Sequence, residues 1–191
     1  MKILVLDNYD SFTYNLVHII RKLGYAQNME VHRNDHVGLE EVANYDKILL
    51  SPGPGIPSEA GIMKQVIQEF APTKSILGIC LGHQGIAEVF GAELYNMPLV
   101  LHGITGRMNV EDTDEVLFKG LPASFQGCHY HSWSVVPGSI NGRLKITARD
   151  DRGLVMGIRH TEYDVKGLQF HPESILTENG RKIIENWLAN E

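Results

Sequence analysis

Short apolar runs alternate with amphipathic stretches along the first half of the chain. Mainly apolar runs at residues 3–6, 47–50 and 75–79 have the length of buried strands, and residues 29–32 form a weaker one. The stretches between them carry apolar residues every three or four positions, which is typical of one face of a helix. Strands that alternate with crossover helices predict a parallel sheet with helices on both faces.

The same pattern places the helices. The first is predicted to begin after Ser11, a suitable N-cap, and to end at Gly24. A short helix is expected at residues 39–43. Two longer helices are indicated by apolar stripes, one before and one after the run at 75–79. These stripes consist of Ile62, Val66, Ile67 and Phe70, and of Ile86, Val89 and Phe90.

The rhythm changes from about Glu93 onwards. Strand patterns separated by turns are expected at residues 132–136, 144–148, 155–158 and 165–170. A last amphipathic helix, with Thr177 as its predicted cap, carries Ile183, Ile184, Trp187 and Leu188. The expected fold is α/β: a mainly parallel central sheet with helices on both faces, antiparallel additions in the second half, and one domain over residues 1–191.

The amino-acid composition argues against nucleic acid and membranes as partners. The 191 residues are 43% hydrophobic and 21% charged, and their formal net charge is −6. No cluster of Lys or Arg suggests a face for nucleic acid. Every apolar run is too short for a membrane span, and Asp7 comes too early for a signal peptide. A cytoplasmic protein is expected, with Cys80 and Cys128 as free thiols.

Cys80 is the first candidate for chemistry. It lies between Gly78 and Gly82, where a predicted strand turns directly into a predicted helix. Such a turn is the nucleophile elbow, in which the glycines remove Cβ atoms that would crowd the backbone. The helix N-terminus behind the sulfur favours thiolate over thiol. Most cysteines of soluble proteins are inert core residues, but this setting predicts a nucleophile.

A second motif supplies a base and an acid. His171 and Glu173 are two positions apart, and Pro172 between them favours an extended chain in which both share a face. A histidine and a carboxylate are the two groups that would complete a Cys-His-acid triad. A histidine and a glutamate at this spacing, taken without other evidence, are usually only solvent-exposed residues at the end of a strand. Together with Cys80 they predict nucleophilic catalysis.

A rigid turn, Ser51-Pro52-Gly53-Pro54-Gly55, follows the strand at 47–50. The carboxyl ends of parallel strands meet at one edge of a sheet, so this turn is expected beside Cys80. There the N–H groups of Gly53 and Leu81 would form an oxyanion hole. The plainer alternative is a turn made of good turn formers. It is not a phosphate-binding loop, since the Gly-Lys-Ser/Thr ending is missing.

Five stretches together resemble the class I (triad) glutamine amidotransferases, and in particular the small subunits of anthranilate synthase and aminodeoxychorismate synthase. The cysteine and His-Pro-Glu motifs mark the superfamily, and the N-terminal and Tyr-His-Ser motifs mark the chorismate-using branch. The matching stretches are residues 7–15 (DNYDSFTYN), 51–57, 78–84 (GICLGHQ), 129–132 (HYHS) and 169–174 (QFHPES).

This resemblance implies a flavodoxin-like sheet and hydrolysis of L-glutamine without a cofactor or metal. Cys80 would form a γ-glutamyl thioester, His171 would act as base and then acid, and Glu173 would orient it. Gly53 and Leu81 would stabilise the oxyanion. The implied substrate contacts are Pro52, Gly53, Pro54, Gln84, Ser132 and Trp133, the last two through main-chain groups.

The resemblance also implies a partner, a chorismate-using synthase subunit that receives the ammonia. Component I of anthranilate synthase is the main expectation; component I of aminodeoxychorismate synthase, or a glutaminase shared by both synthases, is the alternative. Trp133 stands where the family usually has leucine, and Ile104 where it usually has lysine. Two other classes stay open: a non-catalytic regulatory module on this fold, and a free-standing hydrolase of γ-glutamyl compounds.

Other histidines and acids have plainer interpretations. His129 and His131 could suggest a metal pair, but no third ligand at a typical spacing accompanies them, so a structural or interface role is expected. His83 is expected to point away from the neighbouring Cys80. Asp7 and Asp10 are expected to cap the first helix and to shape a partner surface.

Overall fold

The structure, a computed structural model, describes residues 1–190. Of the helices in this range, none combines the length and apolar character that a bilayer-spanning segment needs. The strands are β1 Ile3–Asp7, β2 Met29–Arg33, β3 Lys47–Leu50, β4 Ser75–Ile79, β5 Leu94–Val110, β6 Ser124–Val135, β7 Leu144–Asp150, β8 Val155–His160 and β9 Val165–Leu168. The helices are α1 Thr13–Ile20, α2 Leu39–Val42, α3 Met63–Phe70, α4 Leu81–Val89 and α5 Gly180–Ala189.

All nine strands belong to one mixed sheet in the order β2-β1-β3-β4-β9-β8-β7-β5-β6. The five strands β2, β1, β3, β4 and β9 run parallel to one another. The strands from β8 to β6 pair antiparallel. The predicted combination of a parallel sheet and antiparallel additions in the second half is therefore confirmed.

Alternation along the strands divides the core into two layers. On β1, Leu4 and Leu6 face a cluster that includes α3 and α4, whereas Ile3 and Val5 face α1 and α5. Successive side chains of a strand point to opposite faces, so both faces of β1 are buried and its sequence is apolar from Ile3 to Leu6. Helices cover the parallel part on both faces, as predicted.

The second half departs from the prediction in two places. β5, a long strand that pairs with β6 over most of its length and carries bulges, was not predicted, because its apolar and polar residues do not alternate and apolar residues such as Leu99 and Val100 are exposed. β9 was predicted among the antiparallel additions, but it inserts beside β4 and pairs parallel with it. This insertion places the chain that follows β9 next to the end of β4.

The caps of the first helix also differ from the prediction. Phe12 is the N-cap residue of α1 and makes no side-chain capping bond, so Ser11 is not the cap. Asp10 Oδ1 instead accepts a hydrogen bond from the Phe12 N–H at 2.7 Å, and Asp7 Oδ1 accepts one from Thr13 Oγ1 at 3.0 Å. The two acids therefore order the start of α1, as expected. An irregular helical turn extends α1, and Gly24 within it has φ +96°.

Candidate active site

Cys80 occupies a strained turn between β4 and α4. Its φ of 53° and ψ of −100° are unusual for a residue with a side chain. The backbone around it is crowded, because a Cβ on Gly78 would collide with Gly82, and one on Gly82 would lie 2.6 Å from the Leu50 carbonyl oxygen. The structure has the predicted strand-turn-helix element, and the turn has no room for a side chain at Gly78 or Gly82.

The sulfur of Cys80 is nearly buried at the N-terminus of α4, with 6% of the residue exposed. Its main chain is fixed on both sides: the Cys80 N–H donates to the Leu168 carbonyl at 2.8 Å, and the Cys80 carbonyl accepts from the Gln84 N–H at 3.0 Å. The first of these bonds ties the turn to β9. The N-terminal end of α4, which carries a partial positive charge, lies at this residue.

His171 and Glu173 are hydrogen-bonded, with 2.6 Å between His171 Nδ1 and Glu173 Oε1. Both residues are buried. The predicted reason for their pairing is wrong, because the chain does not stay extended. It turns at Pro172, and the Ser174 N–H donates to the His171 carbonyl at 3.2 Å. The turn, rather than a strand, brings the two side chains to one side.

Thr177, predicted to cap the last helix, has another role. The N-cap of α5 is Asn179, which has a left-handed backbone conformation and no side-chain capping bond. Thr177 Oγ1 donates to the His171 carbonyl at 2.6 Å and accepts from the Cys128 N–H at 3.0 Å. The hydroxyl thus joins the His171 turn to β6 and helps to fix the position of the imidazole.

Charge around His171 decides its protonation. Burial by itself would lower the pKa of His171, but electrostatic interaction with Cys80 and Glu173 and the hydrogen bond to Glu173 hold this pKa well above 6.5. Within residues 1–190, the buried Nε2 atom of His171 has no hydrogen-bond partner. The ring also has aromatic neighbours, with Tyr130 at 5.2 Å and Phe12 at 5.5 Å between ring centroids. The imidazole therefore favours its protonated form beside the sulfur.

The two predicted oxyanion-hole residues come together. A Cβ on Gly53 would lie 2.6 Å from Leu81 Cδ2 and 2.7 Å from the carbonyl oxygen of Asn8. Asn8 holds the turn in place, since its N–H donates to Ser51 Oγ and its Nδ2 donates to the Ser51 carbonyl, both at 2.8 Å. Pro52 is buried and Pro54 is exposed. The turn after β3 thus packs on the start of α4.

Gln84 lies on α4 and reaches β6. Its Nε2 donates to the Trp133 carbonyl and to Gln169 Oε1, each at 3.1 Å. Ser132 and Trp133 are half-buried residues of β6. The Trp133 carbonyl also accepts from His131 Nδ1 at 2.8 Å, which occupies both of its lone pairs. A substrate contact to Trp133 would therefore have to use a group other than this carbonyl.

Two features of the site were missed from the sequence. Gln169 Nε2 lies 3.6 Å from Cys80 Sγ, within reach for an N–H···S hydrogen bond. The sequence feature that could have identified Gln169 as a site residue is its position two residues before His171 in the His-Pro-Glu motif. The second feature is the contact between His129 Nδ1 and His131 Nε2, at 3.0 Å. Their spacing of two on one strand face was visible, but their link through Trp133 to the site was not.

His83, His129 and His131 have environments that differ from that of His171, the predicted base. His83 is fully buried against Gly167 of β9, and burial lowers its pKa to about 3. His129 and His131 bind one another, which occupies the nitrogens that a shared metal would need. Among the described residues, Glu30, His32 and Glu41 do form a group whose possible ligand atoms lie within 4.8 Å of one another.

That group is accounted for by its own hydrogen bonds. Tyr45 OH donates to Glu30 Oε2 at 2.7 Å, and His32 Nε2 is 3.2 Å from the same oxygen. Glu30 and Glu41 are exposed. Exposed carboxylates around a half-buried histidine at a sheet edge form such ion pairs without a metal, so the predicted absence of a metal site stays a prediction.

Comparison with known proteins identifies the relatives of this arrangement. The model of the class-I glutamine amidotransferase family matches residues 4–190. Anthranilate synthase component 2 of Mycobacterium tuberculosis is 44% identical, over 99% of this chain and 82% of that protein. Aminodeoxychorismate/anthranilate synthase component 2 of Bacillus subtilis is 40% identical, over 97% of this chain and 95% of that protein.

A solved structure supports the same conclusion about the fold. The crystal structure of a Thermoplasma acidophilum protein, assigned as one of the subunits of GMP synthase, superposes with a TM-score of 0.87 at 28% identity. The alignment covers 98% of this chain and 92% of that one. The sheet, its antiparallel extension and the covering helices are therefore a shared fold, which confirms the predicted architecture.

Proposed function

Since this chain belongs to the class-I glutamine amidotransferase family, we propose that it hydrolyses the side-chain amide of L-glutamine and supplies the ammonia to a chorismate-using synthase subunit. The observation that carries the proposal is the convergence of three elements at the carboxyl ends of β3, β4 and β9. These are the Cys80 turn, the hydrogen-bonded pair of His171 and Glu173, and the Gly53 turn.

The acylation half of the reaction uses each of them. His171 Nε2 holds the proton of the Cys80 thiol, and the sulfur attacks the amide carbon of glutamine. The carbonyl oxygen becomes an oxyanion that accepts hydrogen bonds from the Gly53 and Leu81 N–H groups. The C–N bond then breaks as His171 gives its proton to the departing nitrogen. Ammonia leaves, and a γ-glutamyl thioester on Cys80 stays behind.

Deacylation repeats the same steps with water. His171 takes a proton from a water molecule, whose oxygen attacks the thioester carbon. The second oxyanion forms in the same hole, the C–S bond breaks, and glutamate is released as the thiol is regenerated. Glu173 orients the ring and stabilises the imidazolium in each half. Its hydrogen bond to Nδ1 leaves Nε2 as the nitrogen that exchanges protons.

We favour anthranilate synthesis as the reaction that consumes the ammonia. The Mycobacterium tuberculosis relative is named as component 2 of anthranilate synthase, which supports a separate component that transforms chorismate. The Bacillus subtilis relative is named for both aminodeoxychorismate and anthranilate synthase, and this observation favours aminodeoxychorismate synthesis, or service to both, as the second candidate. A nucleophilic thiol needs a reducing compartment, so we place the protein in the cytoplasm.

Labelling with an electrophilic chloroketone analogue of glutamine tests the proposal. Peptide mass spectrometry should find one adduct, on Cys80, and excess glutamine should suppress it. Cys128 is an internal control, because it is a fully buried cysteine of the same chain and should stay unlabelled. Cys80→Ser should abolish labelling, whereas Cys128→Ser should leave it unchanged.

The synthase subunits decide between the candidates. Each candidate chorismate-using subunit of the source organism would be mixed with this chain, and glutamine-dependent formation of anthranilate and of aminodeoxychorismate would be measured. Absence of both a Cys80 adduct and glutamine-dependent product, with every subunit, would favour a non-catalytic module. Full turnover of larger γ-glutamyl compounds without any partner would favour a free-standing hydrolase.

A further inference from the structure

Two buried histidines outside the proposed triad are linked to it by a continuous chain of hydrogen bonds. The chain runs from His129 Nδ1 to His131 Nε2 at 3.0 Å, and from His131 Nδ1 to the Trp133 carbonyl at 2.8 Å. From that carbonyl it continues to Gln84 Nε2 and on to Gln169, each at 3.1 Å. His129 is completely buried and His131 is 6% exposed, so water does not replace these bonds.

The positions of the hydrogens in this series of hydrogen bonds follow from the Trp133 carbonyl, which can only accept. A carbonyl oxygen only accepts, so His131 Nδ1 carries a hydrogen. Burial lowers the pKa of His131 to about 4, so the ring is neutral and its Nε2 accepts. His129 Nδ1 must then be the donor to it. Burial lowers the pKa of His129 to about 3, which leaves this ring neutral as well.

The ring of His129 is held firmly. A Cβ on Gly106 of β5 would lie 2.7 Å from His129 Nε2, so only glycine there leaves room for the ring. On the other side of Nε2, Asp150 Oδ2 is 3.8 Å away. His129 is thus confined by β5, and its hydrogen bond to His131 Nε2 orients His131 in turn.

The same series of hydrogen bonds also determines the orientation of the Gln84 side-chain amide. Both hydrogens of Gln84 Nε2 are used, one by the Trp133 carbonyl and one by Gln169 Oε1. Since both partners can only accept here, the nitrogen cannot exchange places with the oxygen. Within residues 1–190, Gln84 Oε1 makes no hydrogen bond, and it is therefore an acceptor available to the ammonium group of an amino acid.

We propose that His131 is a positioning residue for glutamine binding: it holds the Trp133 carbonyl so that Gln84 presents Oε1 to the α-ammonium group of the substrate. This role rests on the proposed glutaminase function. It belongs to neutral His131 acting through two other groups, and His131 itself touches neither the substrate nor Cys80. Loss of its Nδ1–H donor should weaken glutamine binding and leave the chemical step unchanged.

Three substitutions of His131 distinguish its positioning role from a purely structural role. His131→Asn puts an amide N–H near the place of Nδ1 and keeps the donor to Trp133, but it removes the acceptor for His129. His131→Gln puts its amide near the place of Nε2 and keeps a partner for His129, but it loses the donor to Trp133. His131→Leu loses both. Each variant would be assayed in the complex with its chorismate-using subunit, with ammonia-dependent activity as the control for assembly.

A neutral hydrogen bond of this kind should change KM for glutamine by roughly three- to tenfold. We expect that rise in His131→Gln and His131→Leu, with kcat and ammonia-dependent activity unchanged. His131→Asn should keep the wild-type KM while its thermal melting temperature falls, because it leaves His129 unpartnered. Thermal stability and KM would then vary independently, which a purely structural role does not predict.

The contrary outcomes are distinct. Wild-type KM in His131→Gln and His131→Leu would overturn the positioning role, and so would an equal rise of KM in His131→Asn and His131→Gln. In both cases the glutaminase function would stand. If the wild-type complex uses ammonia but not glutamine, the proposed function fails, and the positioning role fails with it.

Discussion

Gly53 and Leu81 lie in two different strand-to-helix connections, yet a methyl group on Gly53 would lie only 2.6 Å from Leu81 Cδ2. The two residues follow β3 and β4, which are neighbours in the sheet. Their contact sets the separation of the two N–H groups that we assign to the oxyanion. A glycine is needed at position 53 for this close approach, not for an unusual backbone conformation.

Gly53→Ala should therefore reduce catalysis far more than stability. The added methyl would also meet Asn8, whose main chain cannot move aside easily, so the turn must shift away from Leu81. Loss of one oxyanion donor typically lowers kcat by about 10²–10³-fold. The measurement is glutaminase kcat, with Gly142→Ala as control, because a methyl there has nothing within 4 Å. Equal activity of the two variants would contradict the assignment.

Glu173→Gln should lower the pKa of His171, because it removes the carboxylate bonded at 2.6 Å. The folded-state pKa of His171 lies above the ordinary 6.5, so its stabilising contribution is complete below that pH and is lost as pH rises through the raised pKa. An NMR titration of His171 should show the fall directly. The stability difference between wild type and variant should shrink as pH increases, and an unchanged titration midpoint would refute this account.

Thr177→Val should destabilise the protein by roughly 1–3 kcal/mol, since it leaves the buried Cys128 N–H and His171 carbonyl without their partner. Thr177→Ser keeps the hydroxyl and is the matched control. Urea unfolding measures the difference. We also expect a lower kcat in the valine variant, because the turn that carries His171 loses its link to β6.

Gln169→Glu should slow alkylation of Cys80 by iodoacetamide roughly tenfold, because it replaces an N–H donor near the sulfur with a carboxylate that repels a thiolate. Gln68→Glu adds the same charge at an exposed position of α3 and should leave the rate unchanged. Equal alkylation rates in these two variants would show that Gln169 does not influence the sulfur.

The parts of the structure that were predictable from sequence are those determined by local pattern. β3 and β4 have the predicted bounds, because strands buried on both faces are mainly apolar and stand out as short runs in the sequence. β5 escaped prediction because its strand conformation comes from pairing with β6, not from its own alternation. The links of Gln169 and His131 to the site escaped for a similar reason, as each depends on contacts between residues far apart in the chain.

The place of β9 in the sheet has a consequence for biosynthesis. β4 pairs with β3 on one side and with β9 on the other, yet β9 is made long after β4. Until residues 165–168 leave the ribosome, one edge of β4 has unpaired N–H and carbonyl groups. Such edges promote aggregation between chains. We therefore expect the nascent chain to be most prone to association with other chains before β9 pairs with β4.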